Sequence, residues 1–274
     1  MTLAQSDTEM PFVLGGPESA FRVGSLTAHG EVFTGTMETG NWVIGPDAAP
    51  CFGSLGVLVD DILGYPIVRT RPPGNWATST EISVSFCAPI PAGRSVLQAE
   101  SSIISLTRSG GLSQARVFDA AGQTIAIASQ RLRFIPGSPA DLSASREAAQ
   151  AAGWNPDATT LGQLGASLSR SAGGAALALP LGPLVSNPMG TLHGGIMLCA
   201  SELAGHAAVQ SADHPLTTTS VHIAYLRPGP VQGQATFEAT ILHRGRTLAV
   251  AQVVNRSPSG KICTLATVTC QHAA

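Results

Sequence analysis

Asn187, His193, Gly194, Gly195 and Glu202 stand close together in the segment NPMGTLHGGIMLCASEL. A glycine pair at the start of an apolar run lets a ligand approach the backbone N–H groups of a helix N-terminus. There the helix dipole adds to their pull on a developing negative charge. That is the donor set needed to polarise a carbonyl. An acid nearby can act as general base toward water or attack directly. Residues 196–204 are apolar on nearly every side, so the helix they form is buried. A carboxylate in its middle, Glu202, is costly there unless it is hydrogen-bonded or protonated. An earlier helix-like run, FGSLGVLVDDILG, poses the same problem with Asp60 and Asp61. A single buried acid is more often a satisfied core polar group than a catalyst.

Eight residues separate Gly194 from Glu202, about 12 Å along a helix at 1.5 Å per residue. That is too far for both to serve one carbonyl, so the acid must come from a neighbouring helix. The chain supplies one by repeating itself. Residues 52–64 align with 193–205 at an offset of 141, and 78–89 (TSTEISVSFCAP) align with 217–228 (TTTSVHIAYLRP) at 139. The alignment pairs Asp61 with Glu202, Gly53 with Gly194, Ser79 with Thr218, Phe52 with His193 and Pro46 with Asn187. A composite site joins Asn187, His193 and Gly194 to Asp61 and Ser79. Its reciprocal joins Gly53 to Glu202 and Thr218, without the Asn and His.

The elements that must position these residues follow from period-two alternation between glycine-containing turns. Each copy reads as one helix followed by about four antiparallel strands, with earlier strand material at 30–38 and 176–182. The expected fold class is α+β, a long helix against an antiparallel sheet, twice. The expected organisation is an extension over 1–29, a first unit over 30–135, a linker over 136–160 and a second unit over 161–274. A short helix is expected within the linker, at 143–152.

Composition narrows the function. Of 274 residues, 44% are apolar and 12% charged, and the net charge of −2 leaves no basic surplus for nucleic acid. No apolar run reaches about 18 residues, so no membrane span is expected. The N-terminus does not read as a secretory signal. Five scattered cysteines lack any zinc-type spacing, so no metal and no cofactor are expected, with reduced thiols in a cytoplasmic protein. No G-x-x-x-x-G-K loop is present for nucleotide hydrolysis.

The spacing Asn187, His193-Gly194-Gly195 and Glu202 resembles the hotdog-fold acyl-CoA thioesterases of the phenylacetate-pathway type. The later strand ending Tyr225-Leu226-Arg227-Pro228 resembles them too, with Thr218 at the family's hydroxyl position. The resemblance covers 176–271 well and 30–135 more weakly. It implies a tandem double hotdog, a family dimer fused into one chain, acting on an acyl-CoA or carrier-protein thioester. It also implies roles: Gly194 polarises the carbonyl, Asp61 is base or nucleophile, Asn187 positions water or thioester, His193 fixes the turn and Gly195 admits the ligand. Arg227, Arg244 and Arg246 are candidates for coenzyme A phosphates, although any one turn arginine is more often simply solvated. A non-hydrolytic acyl-thioester binder or a hotdog dehydratase is the alternative. Acyl chain type and further pairing of the fused units stay open.

Overall fold

The computed structural model describes residues 15–91, 93–137, 147, 155–210, 215–230 and 232–272. The helix expected at 143–152 therefore lies, but for Glu147, outside the described residues.

Alternating residues build twelve strands: β1 (Thr27–His29), β2 (Val32–Thr39), β3 (Asn75–Phe86), β4 (Ser95–Thr107), β5 (Gly110–Phe118), β6 (Thr124–Pro136), β7 (Ser167–Ser171), β8 (Gly174–Pro180), β9 (Thr217–Tyr225), β10 (Gln234–Arg244), β11 (Leu248–Arg256) and β12 (Ile262–Gln271). All form one antiparallel sheet in the order β1-β2-β4-β5-β6-β3-β9-β12-β11-β10-β8-β7. Read inward from its two edges, each half has the same order. In β10, Ala235, Phe237 and Ala239 point into the core and the residues between them face outward, as a half-buried strand requires.

The halves join where β3 pairs with β9. Ser83 lies opposite His222, with Ile82 opposite Ile223 and Val84 opposite Val221. Ser83 and His222 are themselves 139 positions apart, the offset of the strand repeat. Ile82 thus faces the repeat equivalent of Val84, and Val84 that of Ile82, so the seam is symmetric about the pair Ser83 and His222, the pattern of a two-fold axis.

Among the described residues, four helices with full bounds accompany the sheet: α1 (Gly16–Phe21), α2 (Gly56–Arg69), α3 (Thr160–Leu164) and α4 (Gly194–Val209). A 3-10 turn, Phe52–Leu55, leads into α2. Helix α2 packs on the strands of the first half and α4 on those of the second, and the two helices pack on each other. Among the described residues, no helix is long and apolar enough to cross a membrane.

The two helices meet antiparallel through their N-terminal turns, backbone against backbone. A Cβ on Gly195 would fall on Gly56 O and within 2.6 Å of Val57 Cα, and a Cβ on Gly56 would fall on Gly195 O. A Cβ on Gly53 would come within 2.9 Å of Cys199 O and of Glu202 Cβ. Only glycine fits such a crossing.

The approach to each helix corrects the sequence alignment by one residue. Cys51 N–H donates to Val43 O and His193 N–H to Val185 O; Gly45 N–H donates to Ala49 O and Asn187 N–H to Thr191 O. Each of these pairs is 142 apart, not 141. The counterpart of His193 is therefore Cys51 rather than Phe52, that of Asn187 is Gly45 rather than Pro46, and that of Gly195 is Gly53. The same shift matches Glu202 with Asp60 rather than Asp61. Helices apolar on all sides have no polar stripe to fix their register, and the matched glycines, Gly64 and Gly205, fixed it wrongly.

The crossing makes a prediction about stability. Gly195→Ala should cost about 1–3 kcal/mol through overpacking against backbone that has no room to retreat, lowering the melting temperature by roughly 5 °C or more. Gly64→Ala places its Cβ no closer than 3.6 Å to any neighbour. It should leave the melt unchanged or raise it through better helix propensity, up to about 1 kcal/mol. Thermal melts of the two variants check the contrast; an undisturbed Gly195→Ala would mean the helices are not in backbone contact.

Candidate functional site

The crossing sets one carboxylate of the first half against the helix start of the second. Asp60, on α2, accepts at Oδ1 from Ser79 Oγ (3.1 Å) and from Gln130 Nε2 (2.6 Å). At Oδ2 it accepts from Gly195 N–H (2.9 Å). Gln130 Nε2 also lies 2.6 Å from Ser79 Oγ, and Gln130 Oε1 is buried without a hydrogen-bond donor. A Cβ on Gly194 would stand 2.6 Å from Asp60 Oδ2, so any larger residue there displaces the carboxylate. The Asp60 side chain keeps 12% of its surface exposed.

Burial and alternation place these partners. Ser79 sits on β3 at a bulge between Ser79 and Glu81 in its pairing with β6, and Gln130 comes from β6 itself. Tyr225, at the end of β9, donates from its hydroxyl to Gly194 O (2.9 Å). Burial, aided by the Asp60 charge, pushes the Tyr225 phenol well above its usual value, so it remains a donor.

His193 is the N-cap of α4, its Nδ1 3.0 Å from Gly195 N–H and 3.4 Å from Asp60 Oδ2. Its other nitrogen, Nε2, faces Asp61 Oδ1 at 3.4 Å and Glu18 Oε1 at 3.7 Å. Glu18 comes from α1 and accepts at Oε2 from Gly15 N–H (2.6 Å). His193 and Glu18 are each 4% exposed and Asp61 is 9% exposed. Burial first, then the Glu18 charge, raises the Asp61 carboxyl to about 8 against a smaller pull from His193. Burial alone would lower the His193 ring, but Asp61, Asp60 and Glu18 outweigh it and lift it to about 9.

The position expected for Asp61 is thus filled by Asp60, one residue and about 100° around the helix. Asp61 makes no bond to Ser79; it turns to His193. Asn187 stays in its own turn, accepting from Met189 N–H and Thr191 N–H (both 3.0 Å) and donating to Thr191 Oγ1 (2.9 Å).

The reciprocal position is closed. Glu202, 2% exposed, accepts from Thr218 Oγ1 (2.5 Å) and from Cys51 Sγ (3.2 Å), and Thr218 also meets His206 Nδ1 (3.1 Å) and Cys270 Sγ (3.6 Å). Burial pushes the Cys270 thiol up to about 12 and the Cys51 thiol well above its ordinary value, so both stay neutral donors. Phe52 stacks on Phe86, ring centroids 4.6 Å apart, beside this closed end.

The three arginines do not form one phosphate site. Arg227 donates to Ile262 O (2.7 Å) beyond the end of β9, whereas Arg244 donates to Gln210 O (2.9 Å) at the C-cap of α4. A helix of 16 residues separates those ends, about 24 Å. Arg246, in the turn after β10, makes no side-chain hydrogen bond among the described residues.

Sequence reasoning missed Gln130 and Glu18, and it named Asp60 and Tyr225 without giving either a place in the site. Tyr225 carried a further signal, since its repeat equivalent at offset 139 is Phe86, which lacks the hydroxyl. Glu18 carried none, lying far from every motif in what reads as an extension.

Comparison with known proteins meets this geometry. Two family models match: the acyl-CoA thioesterase N-terminal domain over residues 183–271 and the acyl-CoA thioesterase C-terminal domain over residues 4–134. Together they account for most of the chain, in reversed order. Among solved structures, a putative thioesterase from Novosphingobium aromaticivorans aligns at 12% identity with a TM-score of 0.65, covering 91% of this chain and 98% of that one. A putative thioesterase II from Thermobifida fusca aligns at 13% and 0.65, covering 95% and 100%. An acyl-CoA thioesterase II from Mycobacterium marinum aligns at 11% and 0.61, covering 94% and 98%. At such identities these structures establish the fold. No curated protein matches in sequence. With its two halves matched by the two domains of one enzyme family, the chain belongs to the thioesterases and is a thioester hydrolase.

Proposed function

We propose that the chain hydrolyses acyl-CoA thioesters at a single composite site, built where two tandem hotdog units, 30–135 and 161–274, bring α2 against the start of α4. The observation that carries this reading is the Asp60 carboxylate, held by Ser79, Gln130 and Gly195 and set against the N-terminus of the opposite half's helix. Such a carboxylate is fixed in direction by its donors.

The thioester carbonyl lies over Gly194, the first residue of α4, whose N–H has no partner within the helix. That N–H and the helix dipole stabilise the oxyanion. Ser79 and Gln130 hold water against Asp60. Asp60 takes one proton of that water while its oxygen attacks the carbonyl carbon. The C–S bond then breaks, and the departing thiolate takes the proton back from Asp60, leaving a carboxylic acid and coenzyme A. Asn187 supports the loop before α4 rather than touching substrate. The motif that carries the phenylacetate-type resemblance belongs to the second half, and its acid, Glu202, is the structural partner of Thr218 and Cys51. A carrier-protein thioester would present the same reacting atoms.

Three substitutions test this. Asp60→Asn keeps shape and removes the base; thiol release from an acyl-CoA panel should fall by about 10²–10⁴. Glu202→Gln should lose far less once corrected for folded fraction by thermal melts. If Glu202→Gln is the inactive variant and Asp60→Asn turns over normally, the working site is the reciprocal one. Bound but uncleaved acyl-CoA in the wild-type protein would leave only the alternative of an acyl-thioester binder. Gly194→Ala sets a methyl against Asp60 Oδ2 and should reduce kcat by on the order of 10² or more through displacement of the base; full activity in that variant would remove Asp60 from contact with the α4 start.

A further inference from the structure

Outside the reacting groups, the molecule buries Glu18, Asp61 and His193 together, with one ligand-capable atom of each within 4.8 Å of the others. They come from α1, α2 and the N-cap of α4. Three features of this cluster are unlike an ordinary ion pair. The imidazole Nε2 stands 3.4 Å from Asp61 Oδ1 and 3.7 Å from Glu18 Oε1. Charge-assisted hydrogen bonds between such groups close to about 2.7–2.9 Å. Four-coordinate divalent ions with bonds of about 2.0–2.2 Å hold neighbouring ligand atoms about 3.4 Å apart. Asp61 Oδ2 is buried with no hydrogen-bond partner, an arrangement that costs free energy unless something pairs it. Finally, the charges do not balance. Asp60 also faces the ring, so three carboxylates surround one imidazole, with Tyr225 the remaining titratable neighbour beyond Gly194.

We propose that Glu18, Asp61 and His193 form a site for a zinc-type divalent metal ion, bound through His193 Nε2 and one oxygen of each carboxylate. The groups around the ligands suit it. Glu18 is oriented by Gly15 N–H at its other oxygen (2.6 Å). Metal at Nε2 puts the hydrogen on Nδ1, so on binding Nδ1 gives up the bond it accepts from Gly195 N–H at 3.0 Å and turns its own N–H to Asp60 Oδ2, 3.4 Å away, while Gly195 N–H keeps Asp60 as its acceptor at 2.9 Å. A carboxylate behind a ligating imidazole is the usual support for such a ring. One His with two carboxylates is a donor set for zinc, manganese or cobalt rather than for a soft monovalent ion. The ion would supply the missing positive charge and clamp α1 onto the helix crossing. The site stands on its own geometry, whichever acid proves to be the base.

The test is metal binding by the full chain, read without any activity. The protein is stripped with a chelator, titrated calorimetrically with Zn²⁺ and Mn²⁺, and loaded with Co²⁺ for its visible absorption bands. The expected result is one equivalent of Zn²⁺ per chain. The melting temperature should rise by roughly 5–10 °C with the ion at about a hundred times its Kd. Cobalt bands of the intensity that marks four-coordination should appear. Glu18→Gln and Asp61→Asn each remove a charged ligand and should weaken binding at least tenfold, with circular dichroism confirming that they are folded. No uptake of Zn²⁺, Mn²⁺ or Co²⁺ by the folded protein overturns the proposal and leaves the cluster to a shared proton. Uptake of equal affinity in both variants overturns it as well, because the ion would then sit elsewhere.

Discussion

The contact on which the rest depends is the passage of one helix backbone over another at Gly56 and Gly195. With no side chain between them, α2 and α4 approach until Asp60 of one is hydrogen-bonded to the N-terminal amide of the other. Wider helix packing, at the 8–10 Å usual between axes, would leave the carboxylate short of that amide. The crossing therefore joins stability to chemistry: the same close approach that buries two all-apolar helices supplies the donors that let an acid be buried between them.

The two ends of this crossing have diverged in polarity. Where His193 stands beside Asp60, Cys51 stands beside Glu202; Gln130 reaches Ser79 at one end, and at the other its counterpart by register is Val268, with Cys270 beside Thr218. Thiols are weak donors and behave as small apolar groups. They fill the space without drawing in solvent, and Phe52 and Phe86 complete an apolar wall. Amide and imidazole at the other end do the opposite. They are strong donors that leave spare hydrogen-bonding capacity around a partly exposed carboxylate. One framework thus holds a closed carboxylate at one end and a partly exposed one at the other.

Much of this framework is legible in the sequence. Strands and turns follow from alternation because one face of a single sheet is covered by helices and the other is wet. The strand repeat at 139 is the spacing of Ser83 and His222, which face each other at the seam. His193 is recognisable as the start of a helix because a capping group followed by two glycines has few other uses. The register of α2 is not legible. With Val57, Leu58, Val59, Ile62 and Leu63 all buried, hydrophobic periodicity cannot say which of two adjacent acids faces the partner helix, and matching Gly64 to Gly205 points to Asp61. Gln130 is hidden because an amide in a strand carries no signal of its own. Glu18 is hidden because only the folded chain brings residue 18 beside residue 193, and cysteine spacing says nothing of a cluster built from carboxylates and an imidazole.

The pairing of β3 with β9 has a consequence for gene order. Because each half presents the same edge strand and the same helix face, the join is symmetric under exchange of the halves, and the site is indifferent to which of them is translated first. Only the covalent connection, running from the end of β6 to α3, knows the order. The half that carries Asp60 can therefore stand at either end of the chain without altering one contact at the crossing. The reversed order in which the N-terminal and C-terminal domain models match this chain is a permutation that such an architecture tolerates at the cost of a new linker alone.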